Sequence, residues 1–281
     1  MTTTSERTTT GSTATINPYA VPTAPRWRYL HALNPLAKIA AVVPALVLLI
    51  FVRDHATPLA FLALSYLLLL TGAQLTRLTA TLLFAAIPLA VVIMGVGFAL
   101  WVDAAGVSGT DPVLTIGPWT LYSGALLVGF ATSLRLAAIL ALALIGGLTT
   151  TGPDLVRAAV QQLRVPYRVG YTALAAYRFV PRFGHELAVI RAAHRVRGHH
   201  GGAGPFARLT RAWGYIVPLL AGAIRHAERV ALAMDARAFG AHPTRTERYL
   251  VPFRARDTWF IVAMLAASAA IFIALFPWQL P

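Results

Sequence analysis

The sequence predicts an all-α membrane protein with about five transmembrane helices and a helical cytoplasmic region between the fourth and the fifth. Of its 281 residues, 57% are hydrophobic and only 12% are charged, and the mean hydropathy is +0.66. Soluble domains are less apolar than this, so the composition indicates the membrane class. Five apolar segments approach the roughly 20 residues that a helix needs to cross a bilayer, which sets the number of spans.

These apolar segments divide the chain. The second is the shortest of the five, which cover residues 36–52, 58–72, 80–101, 121–148 and 258–277. Residues 1–24 are polar and rich in threonine, and with few groups to bury we expect them to be disordered. The predicted organisation is therefore a cytoplasmic tail (1–24), helices 1 to 4 (25–150), a cytoplasmic region (151–257) and helix 5 (258–281).

The distribution of basic residues sets the orientation, because arginine and lysine favour cytoplasmic loops. With the N-terminus inside, the basic residues before the first span, Arg77 and the whole of 151–257 lie in the cytoplasm. Outside there is only Arg53, and the loop 102–120 contains two aspartates but no cation. The sequence therefore predicts a multi-pass protein of the plasma membrane with a cytoplasmic N-terminus.

One charge lies well inside a predicted span. Arg135 falls in the fourth apolar segment, where a charge costs a few kcal/mol unless it has a partner or reaches water. It is therefore expected to face protein. Two interpretations stand beside each other, an intramembrane contact with a substrate or partner subunit, and a structural hydrogen bond to helix carbonyls, of which the second is favoured.

The cytoplasmic region begins with a helix-start signal. In Thr151-Gly152-Pro153-Asp154, the threonine oxygen can cap free backbone amides, and the acid favours the positive end of a helix. A short helix is expected as far as about Leu163, because Val165 precedes proline and is held out of helical geometry.

Two longer helices are predicted next. The first runs from Tyr167 toward Arg197 with an interruption at Pro181, and Gly198 closes it. The second covers residues 206–239 and is expected to kink near Pro218. Its apolar residues recur at steps of three and four and predict one packed face, made of Leu220, Ile224, Ala227, Ala231 and Met234.

Arginine dominates this region. Residues 153–257 contain seventeen arginines and no lysine, and the rigid donor fork of arginine suits carboxylates and helix ends on a protein surface. Most of these arginines are interpreted as solvated. Arg197 and Arg237 differ because each lies at a predicted helix end beside small residues, which would let the end enter a groove. We call Val196-Arg197-Gly198 the first tip and Ala236-Arg237-Ala238 the second tip.

Several chemistries are excluded or disfavoured. The only lysine, Lys38, precedes Ile39 in an apolar run, so no phosphate-binding P-loop is present, and neither the zinc-protease nor the serine-hydrolase motif occurs. Cysteine is absent. His194, His199 and His200 suggest a metal site, but no acid or thiol accompanies them, and solvated histidines are the favoured interpretation. We expect a non-catalytic subunit without a cofactor or a metal site.

Five sequence features together resemble the transmembrane coupling subunit, or T component, of energy-coupling factor (ECF) transporters, a branch of ABC importers for vitamins and transition metal ions. They are Leu33-Asn34-Pro35-Leu36-Ala37-Lys38, Leu148-Thr149-Thr150-Thr151, Val165-Pro166-Tyr167, Tyr177-Arg178-Phe179-Val180-Pro181 and the two tips. The resemblance covers most of the chain and rests on their order and spacing.

The resemblance implies that the two tips end coupling helices, each of which inserts into a groove of one of two ABC ATPase subunits. ATP hydrolysis would occur in those partners, and a small membrane-embedded substrate-binding (S) subunit would select the cargo. Arg197 and Arg237 take the docking roles by this resemblance. The sequence departs from the family pattern at Val196, where alanine is common, and at Ala238, where glycine is common.

Two alternatives remain open. A conventional ABC permease has its own translocation path and usually one coupling helix per subunit. A stand-alone membrane protein would use its basic region to bind anionic lipid or nucleic acid through many distributed cations. Under the favoured hypothesis the partners are the ATPases, the S subunit and membrane lipid, without nucleic acid. The sequence does not identify the cargo.

Overall fold

The computed structural model describes residues 28–103, 106–107, 109–116, 119–198 and 205–275. Helices dominate these residues, which confirms the predicted all-α membrane fold. In chain order the elements are α1 (Tyr29–Ala32), α2 (Pro35–Phe51), α3 (Ala56–Gly72), α4 (Arg77–Thr81), a π-helical turn (Leu82–Ala86), α5 (Ile87–Ala99), β1 (Pro112–Ile116), β2 (Trp119–Tyr122), α6 (Ser123–Thr149), α7 (Gly152–Gln162), α8 (Tyr167–Val196), α9 (Pro205–Asp235) and α10 (Ala255–Leu275). The tail predicted to be disordered, 1–24, lies outside the described residues.

Each predicted span coincides with an apolar helix. Three helices are long and apolar enough to cross a membrane, namely Arg77–Ala99, which joins α4, the π-helical turn and α5, together with Ser123–Thr149 and Ala255–Leu275. The other two, α2 and α3, have 17 residues each and are about 26 Å long. That length is close to the roughly 30 Å of the hydrocarbon core.

The apolar helices pack around one core. Side chains from α2, α3 and α6 are fully buried there, among them Leu49, Phe61, Leu69, Leu142 and Ile145. Helices α5 and α6 approach closely at Gly129, where an added Cβ would lie 2.3 Å from the carbonyl oxygen of Gly95. Only glycine permits this approach, as small residues do between membrane helices.

The outward faces of the same helices are apolar. Large hydrophobic side chains are exposed along α2, α3, α5, α6 and α10. Trp101 and Trp259 are exposed at opposite ends of the membrane helices, as in the aromatic belts of membrane proteins. An apolar surface of this extent fits contact with lipid.

One carbonyl of the π-helical turn has no helix partner. In a π-helix the carbonyl of residue i accepts from the N–H of residue i+5, which for Leu83 is Pro88, a residue with no N–H. The hydroxyl of Tyr66 on α3 donates to the carbonyl oxygen of Leu83 instead. The freed acceptor is therefore satisfied by a neighbouring helix.

The loop at 102–120 contains a feature that the sequence analysis did not predict. Strands β1 and β2 pair antiparallel, with Leu114 opposite Leu121 and Thr115 opposite Thr120. Each strand has at most five residues, which is too short for an alternating pattern to stand out.

The helix-start prediction at Thr151 is confirmed. The Thr151 hydroxyl accepts from the backbone N–H of Asp154, and α7 ends at Gln162. The predicted interruption at Pro181 is wrong, because α8 runs unbroken for 30 residues. The missing N–H of Pro181 removes a single helix hydrogen bond. Two residues earlier, Phe179 stacks on His226 of α9 with 4.3 Å between ring centroids, so packing holds the helix at this point. Helix α9 likewise continues through Pro218.

Helices α8 and α9 pack antiparallel. Phe179 contacts His226, whereas His194, further along α8, contacts Tyr215, earlier in α9. The predicted packed face of α9 is corrected by the structure, because Leu220 and Ile224 are more than half exposed and Ala227 and Ala231 are exposed as well. Within the part of the chain that the structure describes, that face of α9 is therefore left uncovered.

Candidate functional site

The first tip ends α8. Arg197 is the C-cap residue, and its N–H donates to the carbonyl of Ala193 at 3.1 Å. Gly198 adopts φ +73°, the left-handed conformation that closes many helices. The side chains of Val196 and Arg197 are exposed, Val196 to 89%. The arginine therefore projects from the helix end into solvent.

The second tip forms a turn after α9, which ends at Asp235, four residues before the predicted end. The N–H of Arg237 donates to the carbonyl of Met234 at 3.1 Å, and that of Ala238 to Asp235 at 2.9 Å. Ala238 adopts φ +54° and Gly240 adopts φ +91°. A left-handed residue at 238 explains why glycine suits that position and why alanine is a departure, since a Cβ there costs about 1–2 kcal/mol. All three tip residues are exposed.

Residues at the start of α8 hold the second tip. The ring of Tyr167 lies edge-on to Phe239 at 5.8 Å, and its hydroxyl donates to the carbonyl of His242 at 2.6 Å. The guanidinium of Arg168 donates to the carbonyl of Gly240. This support was not predicted from the sequence. Its only signals were Tyr167 in a recognised motif and the aromatic Phe239 directly after the tip.

The segment after the second tip is also fixed to α7 and α8. Gln161 makes two bonds, its Nε2 to the carbonyl of Tyr249 at 2.8 Å and its Oε1 from the N–H of Val251 at 2.9 Å. Gln162 Nε2 donates to the Val251 carbonyl at 2.7 Å. These bonds fix residues 249–251 to the end of α7.

Arg245 is not a simply solvated arginine. Its guanidinium lies 4.1 Å from the centroid of the Tyr171 ring, a cation–π distance. The hydroxyl of Tyr171 donates to the carboxylate of Glu247. Burial, together with this bond and the negative charge of Glu247, raises the pKa of Tyr171. The tyrosine therefore stays protonated and continues to donate.

Buried polar groups join the ends of three apolar helices to one another. Asp257, at 0% exposure, accepts from the N–H of Asn34 at 2.8 Å and from that of Arg254 at 2.7 Å. Lys38, at 1% exposure, donates to the Thr149 carbonyl at 2.8 Å. Buried charges require such partners. These contacts tie the start of α2 to the end of α6 and the start of α10.

Arg135 has a structural partner in the chain. Its Nη1 donates to the carbonyl of Val52 at 3.0 Å and lies 3.5 Å from that of Ile50. Both carbonyls belong to the C-terminal end of α2, where a cation is favoured by the helix dipole. The structure therefore contains the hydrogen bond to helix carbonyls, the favoured one of the two interpretations.

The histidine region carries no metal cluster that can be described. Three or more metal-binding side chains do not come together anywhere in the described ranges. His199 and His200 lie outside those ranges, and the ring of His194 packs edge-on against Tyr215 at 5.3 Å.

The antiparallel packing determines where the two tips lie. The second tip is beside Tyr167 at the start of α8, and the first tip is at its other end. With 30 residues, α8 is about 45 Å long. The helix pair therefore presents two exposed arginines at opposite ends, a geometry that suits two separate contacts.

Comparison with known proteins decides the family. A family model described as CbiQ, cobalt transport protein, matches residues 27–248. The chain belongs to the CbiQ family. Among curated relatives, the energy-coupling factor transporter transmembrane protein EcfT of Bacillus selenitireducens is 28% identical over 86% of this chain and 91% of its own length. That of Acidaminococcus fermentans is 28% identical over 90% of this chain and 94% of its own length.

This CbiQ-family chain is therefore a transmembrane T component of the ECF type, which confirms the resemblance drawn from its motifs. The family is a membrane transport component and not a catalytic one. A further relative is a putative ABC transporter ATP-binding protein of Bifidobacterium longum, 30% identical over 92% of this chain but only 34% of its own length.

Proposed function

We propose that the chain transmits ATP-driven motion from two ABC ATPase subunits to a separate, small membrane-embedded S subunit during uptake of a vitamin or metal ion. The observation that carries the proposal is the pair of exposed arginines, Arg197 and Arg237, at opposite ends of the antiparallel helices α8 and α9. Two ATPase subunits that bind the same side of this chain need two docking points that are well apart.

Each arginine is suited to a docking role by its setting. It projects from a helix end beside an exposed small or apolar neighbour, so the end can enter a groove. In such a groove a guanidinium can donate to carboxylates or carbonyls, and a charge-assisted bond contributes about 1.5–3 kcal/mol. The match to part of an ATP-binding protein supports an ABC ATPase as the partner class.

The uncovered apolar face of α9 supports contact with the S subunit or with lipid. Val217, Leu220 and Ile224 are each more than half exposed, and they lie on a helix that belongs to the cytoplasmic region. Movement of the tips would carry this face with them. The S subunit would then release its cargo inward, and the family description makes cobalt the first cargo to test.

The proposed topology follows from the same scheme. The N-terminus and residues 151–257 face the cytoplasm, and the membrane helices belong to 25–150 and 258–281. The excess of arginine in 151–257 supports this orientation. Asn34 at the start of α2 donates to the carbonyl of Val251 at 3.4 Å, and Val251 is bonded to Gln161 and Gln162 of α7, which would give the motion of the cytoplasmic helices a route into the membrane bundle.

The test is affinity recovery of the tagged full-length chain from gently solubilised native membranes, followed by mass spectrometry and an uptake assay. Wild type is expected to recover ABC ATPases and an S subunit, and the Arg197→Ala/Arg237→Ala variant is expected to lose the ATPases. The matched control is Arg225→Ala/Arg229→Ala, which removes the same charge from exposed positions on α9. Equal ATPase recovery by the tip variant and the control would overturn the proposal.

A further inference from the structure

A basic cavity lies at the junction of the membrane and cytoplasmic helices. Its volume is about 870 Å³, within the usual range for ligand sites. Its walls come from α1, the start of α2, the turn between α3 and α4, the end of α6, the start of α7, and the segment that leads into α10. Its charged and titratable lining residues are Arg28, His31, Lys38, Asp154, Arg254 and Arg256.

Positive charge prevails in this cavity. Three arginines and Lys38 line the cavity with one carboxylate, Asp154, which already binds Arg157 at 2.9 Å and the Thr151 hydroxyl at 2.6 Å. The nearby carboxylate of Asp257 accepts from two backbone N–H groups. Burial, and then the charges of Lys38 and Arg28, hold the pKa of His31 below its usual value. The cavity is therefore suited to an anion.

Hydrogen-bond donors remain for such an anion. The Lys38 ammonium has three N–H donors, and the described residues provide two acceptors, the Thr149 carbonyl and the Thr150 hydroxyl. His31 Nε2 accepts from the N–H of Gln74 at 3.1 Å, so the neutral ring carries its proton on Nδ1. Arg254 is exposed, and it donates to Asp257 through its backbone N–H. A buried ammonium, an imidazole N–H and a guanidinium thus line one space.

We propose that this cavity binds the headgroup of an anionic phospholipid, whose phosphate charge is not balanced by a cation in the same headgroup. The cavity lies at the ends of membrane helices, at the depth of headgroups, since Lys38 is in the first turn of α2 and Thr149 ends α6. Exposed apolar side chains adjoin its lining residues in sequence: Tyr29 beside Arg28, Ile39 beside Lys38 and Leu78 beside Thr79. Such side chains suit acyl chains.

The chain's own N-terminal segment is a poorer occupant. Residues 1–27 contain a single acid, Glu6, and two arginines, so their charge does not complement the cavity. The proposal is independent of ATPase docking, because none of the lining residues belongs to either tip.

The experiment uses the full-length chain, purified and stripped of lipid in a neutral detergent. Its apparent unfolding midpoint is measured with added short-chain phosphatidylglycerol, short-chain phosphatidylcholine or inorganic phosphate. A ligand that binds the folded state raises the midpoint in proportion to its affinity. Phosphatidylglycerol is expected to raise the midpoint, and phosphatidylcholine and phosphate at the same concentration are expected to leave it nearly unchanged.

Two variants and one control locate the effect. Arg254→Glu is expected to weaken phosphatidylglycerol binding about tenfold or more, as the loss of a charge-assisted bond would. Lys38→Met removes the buried ammonium donor and is also expected to weaken phosphatidylglycerol binding. The control Arg77→Glu makes the same charge reversal at an exposed position on the membrane-helix end outside the lining, and it should keep the wild-type response.

Three results would overturn the proposal. Equal shifts of the unfolding midpoint with phosphatidylglycerol and phosphatidylcholine would show that a net negative headgroup is not required. An equal shift with inorganic phosphate would assign the cavity to a free anion instead of a lipid. Equal loss in Arg254→Glu and Arg77→Glu would show a general surface-charge effect.

Discussion

The two arginine tips are alike in sequence but differ in how the chain holds them. The first tip is held by backbone bonds at the end of α8, the N–H of Arg197 to Ala193 and that of Gly198 to Arg195. The second tip is supported from outside its own helix by Tyr167 and Arg168. Among the described residues, the first tip is therefore held by its own helix, whereas the second tip is held by a neighbouring helix as well.

The difference matters for binding energy. A side chain that is ordered only on binding costs about 0.5–1.5 kcal/mol, and a backbone that is already fixed avoids part of the ordering cost. The second tip is followed in the chain by residues 249–251, which are hydrogen-bonded to Gln161 and Gln162 of α7. A force applied at Arg237 would therefore be transmitted to α7 and α10, whereas a force applied at Arg197 would be transmitted along α8.

The largest expected effect comes from separating the two arginines. Arg237→Ala is expected to lower ATPase affinity about 10- to 100-fold, because one charge-assisted bond of about 1.5–3 kcal/mol is lost. Arg197→Ala is expected to lower it several-fold less, because its tip pays more ordering cost on binding. Titration of purified ATPase against each variant in nanodiscs measures both values.

Equal losses in these two variants would break the comparison, since external support would then add nothing to docking. The exposed Arg225→Ala serves as the control and should bind like wild type.

An intermediate effect is expected at the two glycines that follow the tips. Gly198 and Gly240 both have positive φ, so alanine costs about 1–2 kcal/mol at each. The added Cβ meets nothing within 4 Å at Gly198, but it lies 3.0 Å from Nε of Arg168 at Gly240. Gly240→Ala should therefore lower the apparent unfolding midpoint more than Gly198→Ala does.

Hydrogen exchange sharpens that prediction. In Gly240→Ala, the amides of residues 236–242 should exchange faster, because the guanidinium of Arg168 must move from the Gly240 carbonyl. Unchanged exchange there, with both midpoints equally lowered, would show that Arg168 does not support the second tip.

The tips also show what sequence could and could not predict. Helix ends were predictable because their causes are local: Thr151 caps α7, and Gly198 closes α8. The end of α9 was placed four residues too late, since the left-handed turn at Ala238 lacks the glycine that signals it. Bonds that fix the second tip join residues more than 70 positions apart, and no local pattern reveals them.

The membrane junction follows the same rule. A lysine at the start of an apolar span looked like a minor break in the segment, yet Lys38 bonds Thr149, 111 residues away. The sequence gives the residue type, and only the packing of α2 against α6 supplies its acceptor. Pro181 is the opposite case, where a strong local signal is overridden because α8 packs along α9.

The smallest expected effect isolates one atom of the second tip's support. Tyr167→Phe keeps the ring against Phe239 and removes only the hydroxyl that donates to the His242 carbonyl. A single neutral bond is worth about 1 kcal/mol, so ATPase affinity should fall by no more than about fivefold. The same substitution at exposed Tyr177 is the control and should change nothing. A loss as large as that of Arg237→Ala would mean that the hydroxyl itself contacts the ATPase, and that Tyr167 belongs to the docking surface instead of its support.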